Sequence, residues 1–265
     1  MSKFTVFAAV TLALMSPLAF AAPSQPLVSP PAVVQKFLAM SHGQVKAHFA
    51  TPLQGLEGWY IKAPSAGPQG AVVYTDKGYA FIGALINPQG ENLSAAYTKH
   101  YAPKPQLSKV VAELSHAKHL IGWGNPKAPV HLYAFEDANC IFCNLFYTSA
   151  KPYVESGKAY VQVVPVAFLK PSSPGKAAAI LSAKNPENAY EADENRFNRK
   201  TEEGAIQPIP VSAAMQAILA RHGQWLMRDL QSGGTPTLLY RQGGHWKVMK
   251  GYSATLVGQL VKEAK

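Results

Sequence analysis

The chain has 265 residues, 48% of them hydrophobic, and carries 25 Lys and Arg against 15 Asp and Glu for a net charge of +10. That length and apolar content exclude a disordered or fibrous protein and support one large domain or two ordinary ones. The basic residues are scattered, without a basic run or interleaved aromatic motif, so no nucleic-acid partner is expected and the charge reads as a solvated surface, with a preference for acidic protein partners as the alternative.

Residues 1–22 hold a single charge, Lys3, then an apolar run over 4–14, and end in Ala19-Phe20-Ala21. This matches a secretory signal with a small-x-small cleavage site, and cleavage is expected after Ala21 or Ala22. An uncleaved membrane anchor fits less well, because the run is short and broken by Ser16-Pro17. Loss of the leader leaves +9 on the mature chain.

After a Pro-rich lead, Val33, Val34, Phe37 and Leu38 recur at helical spacing behind Ser29 as a candidate cap. Val45, Ala47 and Phe49 alternate with polar residues, 56–61 is strand-like, and 72–74 leads through Thr75-Asp76-Lys77-Gly78 into 79–82. These form a small antiparallel α+β unit over about 24–87. It is thin for an independent core, and units of this size gain stability by pairing with another copy. Its aromatics Trp59, Tyr60, Tyr74 and Tyr79 are read as core or dimer packing, with a client-binding cleft as the alternative.

Asn87-Pro88-Gln89-Gly90 breaks the pattern, and after a polar segment Leu107, Val110, Val111 and Leu114 mark one face of a connecting helix. Gly122-Trp123-Gly124-Asn125-Pro126 resets the chain before a strand over 129–135 and a helix over about 140–156; the apolar run 160–169 then completes a β-α-β unit. Residues 172–232 are alanine-rich and charged, with helical patterns over 176–183, 187–199 and 211–230, and read as a helical insertion. Ser232-Gly233-Gly234-Thr235-Pro236-Thr237 feeds a strand at 238–240, followed by another at 246–249 and a final helix over about 254–262.

The only cysteines of the chain, Cys140 and Cys143, stand two residues apart where the strand meets the helix. In an oxidising compartment cysteines normally staple a fold, but a disulfide enclosing so short a loop removes little entropy from the unfolded chain. A zinc site needs about four ligands; no histidine pair has the matching spacing, and His116 and His119 lie too close together and upstream. A c-type haem needs His after the second cysteine, where Asn144 stands. No metal or other cofactor is expected, and redox chemistry is the better reading. Cys140, at the helix N-terminus, would be the attacking thiolate; Cys143, one turn deeper on the same face, would resolve a mixed disulfide. Glu136 and Asp137 are candidate proton relays, or else end-of-strand caps. His131, inside the strand, reads as structural.

The strand–CxxC–helix unit, the later Thr235-Pro236 before a strand, the terminal strand and helix, and the insertion resemble a thioredoxin-fold domain of the Dsb class. With the leader, the small N-terminal unit and the connecting helix, nearly the whole mature chain resembles the DsbC/DsbG family of periplasmic thiol:disulfide interchange proteins. DsbG is the closer branch, because no cysteine pair exists outside the CxxC. The resemblance implies an α+β protein of defined parts: a signal peptide at 1–22, an N-terminal cystatin-like dimerisation domain at 23–87, a linker with helix at 88–124, and a thioredoxin-like catalytic domain at 125–265. It further implies a V-shaped homodimer in the periplasm, with Thr235 and a cis Pro236 aligning an extended client strand. Its partners would be client proteins with disulfides or oxidised cysteines, and a DsbD-like membrane reductase as electron donor. Activity on client disulfides, by reduction or isomerisation, and on cysteine sulfenic acids follows from the same resemblance. The rival readings are a DsbA-type oxidase and a dimeric chaperone with an accessory dithiol. Ile141-Phe142 stands where familiar DsbG members have Pro-Tyr, and Asn139 where an apolar residue or Thr is common.

Overall fold

The computed structural model describes residues 28–264, so the expected leader lies outside the described residues. The first unit opens with helix α1 (Ala32–Ser41), capped not by Ser29 but by Pro31 in extended conformation, with no side-chain bond to the first turn. Strands β1 (Gln44–Ala50), β2 (Glu57–Lys62), β3 (Ala71–Asp76) and β4 (Tyr79–Phe81) follow as an antiparallel meander in chain order. Lys77 and Gly78 join β3 to β4 with φ of 46° and 82°, the left-handed pair that a two-residue hairpin requires.

Both faces of this sheet are covered. Trp59, Ile61 and Val73 pack with Val34 of α1 on one side, while Phe49, Tyr60, Val72 and Tyr74 meet Tyr97 and Tyr101 on the other. These two tyrosines belong to helix α2 (Leu93–Tyr101), which begins at Asn92, whose side chain accepts from the Ala95 amide at 2.9 Å. Trp59, Tyr60 and Tyr74 are therefore core residues, and each polar tip is satisfied internally by Thr75, Gln69 and Ser94 respectively. Tyr79 alone of the expected aromatics is open to solvent, at 79% exposure on β4.

Gly58 lies opposite Phe49 in the β1–β2 ladder, and a Cβ there would fall 2.2 Å from the Phe49 ring. Phe49 has little room to retreat, because its ring packs tilted against Tyr97 at 4.4 Å and stacks on Tyr101 at 4.9 Å. The Gly58→Ala variant is expected to lose about 1–3 kcal/mol by overpacking, visible as a lower thermal midpoint of the N-terminal unit. An unchanged midpoint would contradict this packing.

The segment expected to be a linker is largely structured. Helix α3 (Leu107–Leu114) buries Val110 and Leu114 against Tyr133, Phe135 and Leu239 of the second sheet, and the Gln106 amide donates to the Asp229 carbonyl at 2.8 Å. It thus belongs to the second unit, while α2 belongs to the first. The second sheet has the order β5-β7-β6-β8-β9, built from β5 (Ile121–Gly124), β6 (Val130–Glu136), β7 (Ala159–Pro165), β8 (Thr237–Gln242) and β9 (His245–Lys250). Only β6 and β7 run parallel, joined through helix α4 (Ile141–Glu155). Near-continuous apolar runs in β6 and β7 are explained by helices on both faces. Helix α4 and the C-terminal α8 (Leu256–Glu263) cover one face; α3 and the π-helical turn Trp225–Asp229 cover the other.

The insertion supplies α5 (Ser173–Leu181), α6 (Pro186–Asn195) and α7 (Ala213–Gln224), with α7 running straight into the π turn. Among the described residues no helix is long and apolar enough to cross a membrane.

Candidate active site

Strand β6 delivers Glu136 and then Asp137 to the end of the sheet where α4 begins. Asp137 is fully engaged there. Its Oδ1 accepts from the Asn139 amide at 3.0 Å and the Ser173 hydroxyl at 2.7 Å, and its Oδ2 from the Phe168 and Leu169 amides at 2.8 and 3.0 Å. Asn139 extends the brace: its Nδ2 donates to the Ser173 hydroxyl at 2.9 Å, and its Oδ1 accepts from Lys176 Nζ at 2.9 Å. Together they tie the turn before the cysteines to α5. His131 is exposed on β6, edge-on to Tyr160 at 5.3 Å.

Cys140 caps α4, where free backbone amides favour negative charge. Its sulfur accepts from the Cys143 amide at 3.2 Å and lies 3.4 Å from the Thr235 carbonyl oxygen, next to the cis Thr235-Pro236 peptide bond. Both cysteines are free thiols and both are buried; Cys140 retains 4% exposure and Cys143 none, so only the first has any opening to solvent. The hydrogen bond from the Cys143 side chain, opposed by burial and supported by Thr235 and the Cys143 and Phe142 amides, holds the Cys140 thiol below its ordinary value. Burial, and then the hydrogen bond and charge of Cys140, push Cys143 well above it. Of the two, Cys140 is the sulfur that ionises first and Cys143 the one that holds its proton.

Behind Cys143 lies an acid cluster that sequence reasoning located only in part. Glu136 Oε2 accepts from the Tyr190 hydroxyl at 2.9 Å, and Glu194 Oε2 from Asn144 Nδ2 at 2.9 Å. Arg199 Nε in turn donates to Asn144 Oδ1 at 3.0 Å. Burial pushes Glu136 well above the carboxylate range, reinforced by the charge of Glu194; burial likewise raises Glu194 to about 8, with Asp193 and Cys140 adding to the shift. Tyr190, Asp193 and Glu194 sit in the polar helix α6, whose pattern resembles any solvated helix. Asn144 entered the sequence argument only as the residue that is not a haem-binding His. Among the described residues no group of three or more His, Cys, Asp and Glu side chains is arranged to hold a metal ion.

A carboxyl that holds its proton more tightly folded than unfolded adds stability below its unfolded value and loses that contribution as pH rises through the folded one. For Glu194 the window runs from 4.5 to about 8. Urea denaturation of the reduced protein is therefore expected to show stability falling across that window, by about 1.4 kcal/mol per pH unit for each proton involved. The Glu194→Gln variant should flatten the slope; an identical slope would contradict the assignment.

Residues 115–231 match the family described as Thioredoxin. The thiol:disulfide interchange protein DsbG of Escherichia coli (strain K12) is 33% identical over 181 residues, covering 64% of this chain and 68% of that protein. DsbG of Pseudomonas aeruginosa is 29% identical over 177 residues, covering 65% of this chain and 66% of that protein. A solved structure of Helicobacter pylori DsbG shares 15% identity at a TM-score of 0.39, covering 79% of this chain and 99% of its own. The alignments to the curated relatives span about two thirds of their length. With a third of the aligned positions identical to the Escherichia coli protein, the chain belongs to the DsbG family of thiol:disulfide interchange proteins.

Proposed function

We propose that the protein works in the periplasm as a reductase and isomerase of client disulfides, and as a reductase of client cysteine sulfenic acids. The observation that carries the reading is the asymmetry of the pair: the accessible sulfur, Cys140, is the acidic one, and the enclosed sulfur, Cys143, keeps its proton. With a disulfide client, the Cys140 thiolate attacks one client sulfur, the client S–S bond breaks, and the other client sulfur leaves as thiolate. With a sulfenic acid, Cys140 attacks the oxidised sulfur and hydroxide leaves, taking a proton to become water.

In either case Cys143 then loses its proton, attacks Cys140 and expels the client as thiolate, leaving the Cys140–Cys143 disulfide. Glu136, in its ionised form, is the proton acceptor in this step, while Asp137 holds the turn through its four hydrogen bonds. A membrane reductase of the DsbD type returns the electrons. Thr235, whose carbonyl approaches the Cys140 sulfur, and Pro236 form the edge along which an extended client lies. Phe142, 55% exposed beside Cys140, together with the exposed Phe168 and Leu169 on the loop that Asp137 holds, offers apolar grip on unfolded segments. A homodimer through the N-terminal unit is supported by the short edge strand β4, which leaves Tyr79, Phe81 and Ile82 exposed.

The test mixes reduced protein with a mispaired disulfide client and, separately, with a sulfenylated thiol peptide. One dithiol is expected to be oxidised per bond or sulfenic acid reduced. A dithiol left intact by both, with the mispaired client bond neither reduced nor reshuffled, would overturn the reading.

A further inference from the structure

Helix α6 turns Tyr190, Asp193 and Glu194 to one face, at spacings of three and four residues. That face closes a cavity of about 20 Å³ against the end of β6 and helix α5, room for a single water. Glu136 and Glu194 line it from opposite elements. Glu136 Oε1 is buried with no hydrogen-bond partner among the described residues, although its companion oxygen is held by Tyr190. A buried carboxylate oxygen without a partner is costly, and a water in this cavity would supply one. Glu194 is fixed by Asn144, one residue after Cys143, so it is anchored to the same helix turn as the resolving thiol.

We propose that Glu194 is a positioning residue for proton transfer at the dithiol, coupled to Glu136 across this cavity so that together they give up one proton and keep one. The inference rests on the exchange reading above. Two buried carboxyls beside a thiolate cannot all carry charge, because like charges in a low-dielectric site repel strongly. While Cys140 is a thiolate, both carboxyls hold protons. Once Cys140 is bonded to the client its charge is gone, which eases the ionisation that burial opposes and lets the pair release one proton to solvent. The Cys143 S–H bond then breaks toward Glu136, the new thiolate attacks Cys140, the Cys140–client S–S bond breaks, and the client sulfur leaves with the electron pair. The pair thus becomes a base only when a base is needed.

The groups facing it are Asp137 at the end of β6, Cys140, Cys143 and Tyr147 at α4, and Tyr190 and Asp193 from α6. Lys176 of α5 stands behind Asp193, with its Nζ bonded to Asn139 and to the Gly204 carbonyl. Arg199 is linked through Asn144.

The test is a pH titration of the glutamate carboxyl carbons by NMR on the full-length protein, in reduced and disulfide forms, for wild type and Glu194→Gln. Glutamine can still accept from Asn144, so the fold is expected to survive. In reduced wild type the two carboxyls should titrate as a coupled pair, and Glu194→Gln should lower the Glu136 midpoint by about one pH unit or more. Should that variant fail to fold, wild type alone decides: forming the Cys140–Cys143 disulfide should lower both midpoints. An unmoved Glu136 midpoint in Glu194→Gln, or midpoints indifferent to the redox state, would overturn the proposal. No client is needed, so absence of exchange in the client assay would count against the functional reading alone, and uncoupled titrations against this one alone.

Discussion

The Cys143→Ser variant is expected to accumulate covalent client adducts, and the Cys140→Ser variant to lose exchange to background, a fall on the order of 10³-fold or more. The two outcomes differ because the sulfurs stand in different surroundings. Cys140 combines the α4 N-terminus, the Cys143 amide at 3.2 Å and a residual opening to solvent. A hydroxyl in the same place is not ionised and does not attack a client sulfur. Cys143 has no exposure and cannot meet a client directly, so its loss spares the first step and removes only the second. The mixed disulfide then has no internal route of escape. Non-reducing gels of cell extracts, with client release by reductant, would show the adducts. The pair of variants also separates enzyme from chaperone: if Cys140→Ser protected clients as well as wild type, the dithiol would be incidental.

Glu136→Gln carries the second large effect. The enclosed Cys143 thiol needs a base among its buried neighbours, and its surroundings, the charge of Glu136 among them, push it well above the ordinary value. Removing a positioned base typically costs about 10²-fold or more. The decay of a preformed Cys140–client disulfide should slow by about that factor, while the initial attack by Cys140 should keep its rate. Glutamine can still accept from the Tyr190 hydroxyl, so the geometry of β6 and α6 is retained. Quenched-flow sampling with acid trapping resolves the two steps. Equal rates in both would remove Glu136 from the mechanism and return it to a structural role beside Asp137.

The dithiol was legible from sequence because its chemistry is local: a strand end, a cap and two sulfurs lie within a few residues, and Cys140 occupies the N-cap of α4 as its position implies. The antiparallel N-terminal unit and the helical insertion were legible for a similar reason, each strand or helix carrying its own periodicity. What escaped depends on partners distant in the chain. Helix α2 spends its apolar stripe on Leu93, Tyr97 and Tyr101, two of them tyrosines, so the segment read as polar. Without it the second face of the first sheet had no cover, and Trp59, Tyr60 and Tyr74 were read by default as core or dimer packing, with nothing to tell which. Helix α3 showed a clear apolar face, but nothing local told that its partner was the sheet beginning at Ile121 and not the one before it. Ser29 looked like a cap, yet the helix starts only at Ala32. Tyr190, Asp193 and Glu194 became recognisable as part of the site only once the insertion folded back onto Glu136, some fifty residues away in sequence.

The central claim is that the pair serves as an electron donor to clients, and the redox state of Cys140 and Cys143 in living cells tests it most directly. Rapid acid quenching followed by alkylation with a mass-tagged thiol reagent reports that state. A predominantly reduced pair, becoming oxidised when the membrane electron donor is removed, is the expected result. A pair found predominantly oxidised with the donor present would contradict the account and favour a disulfide oxidase.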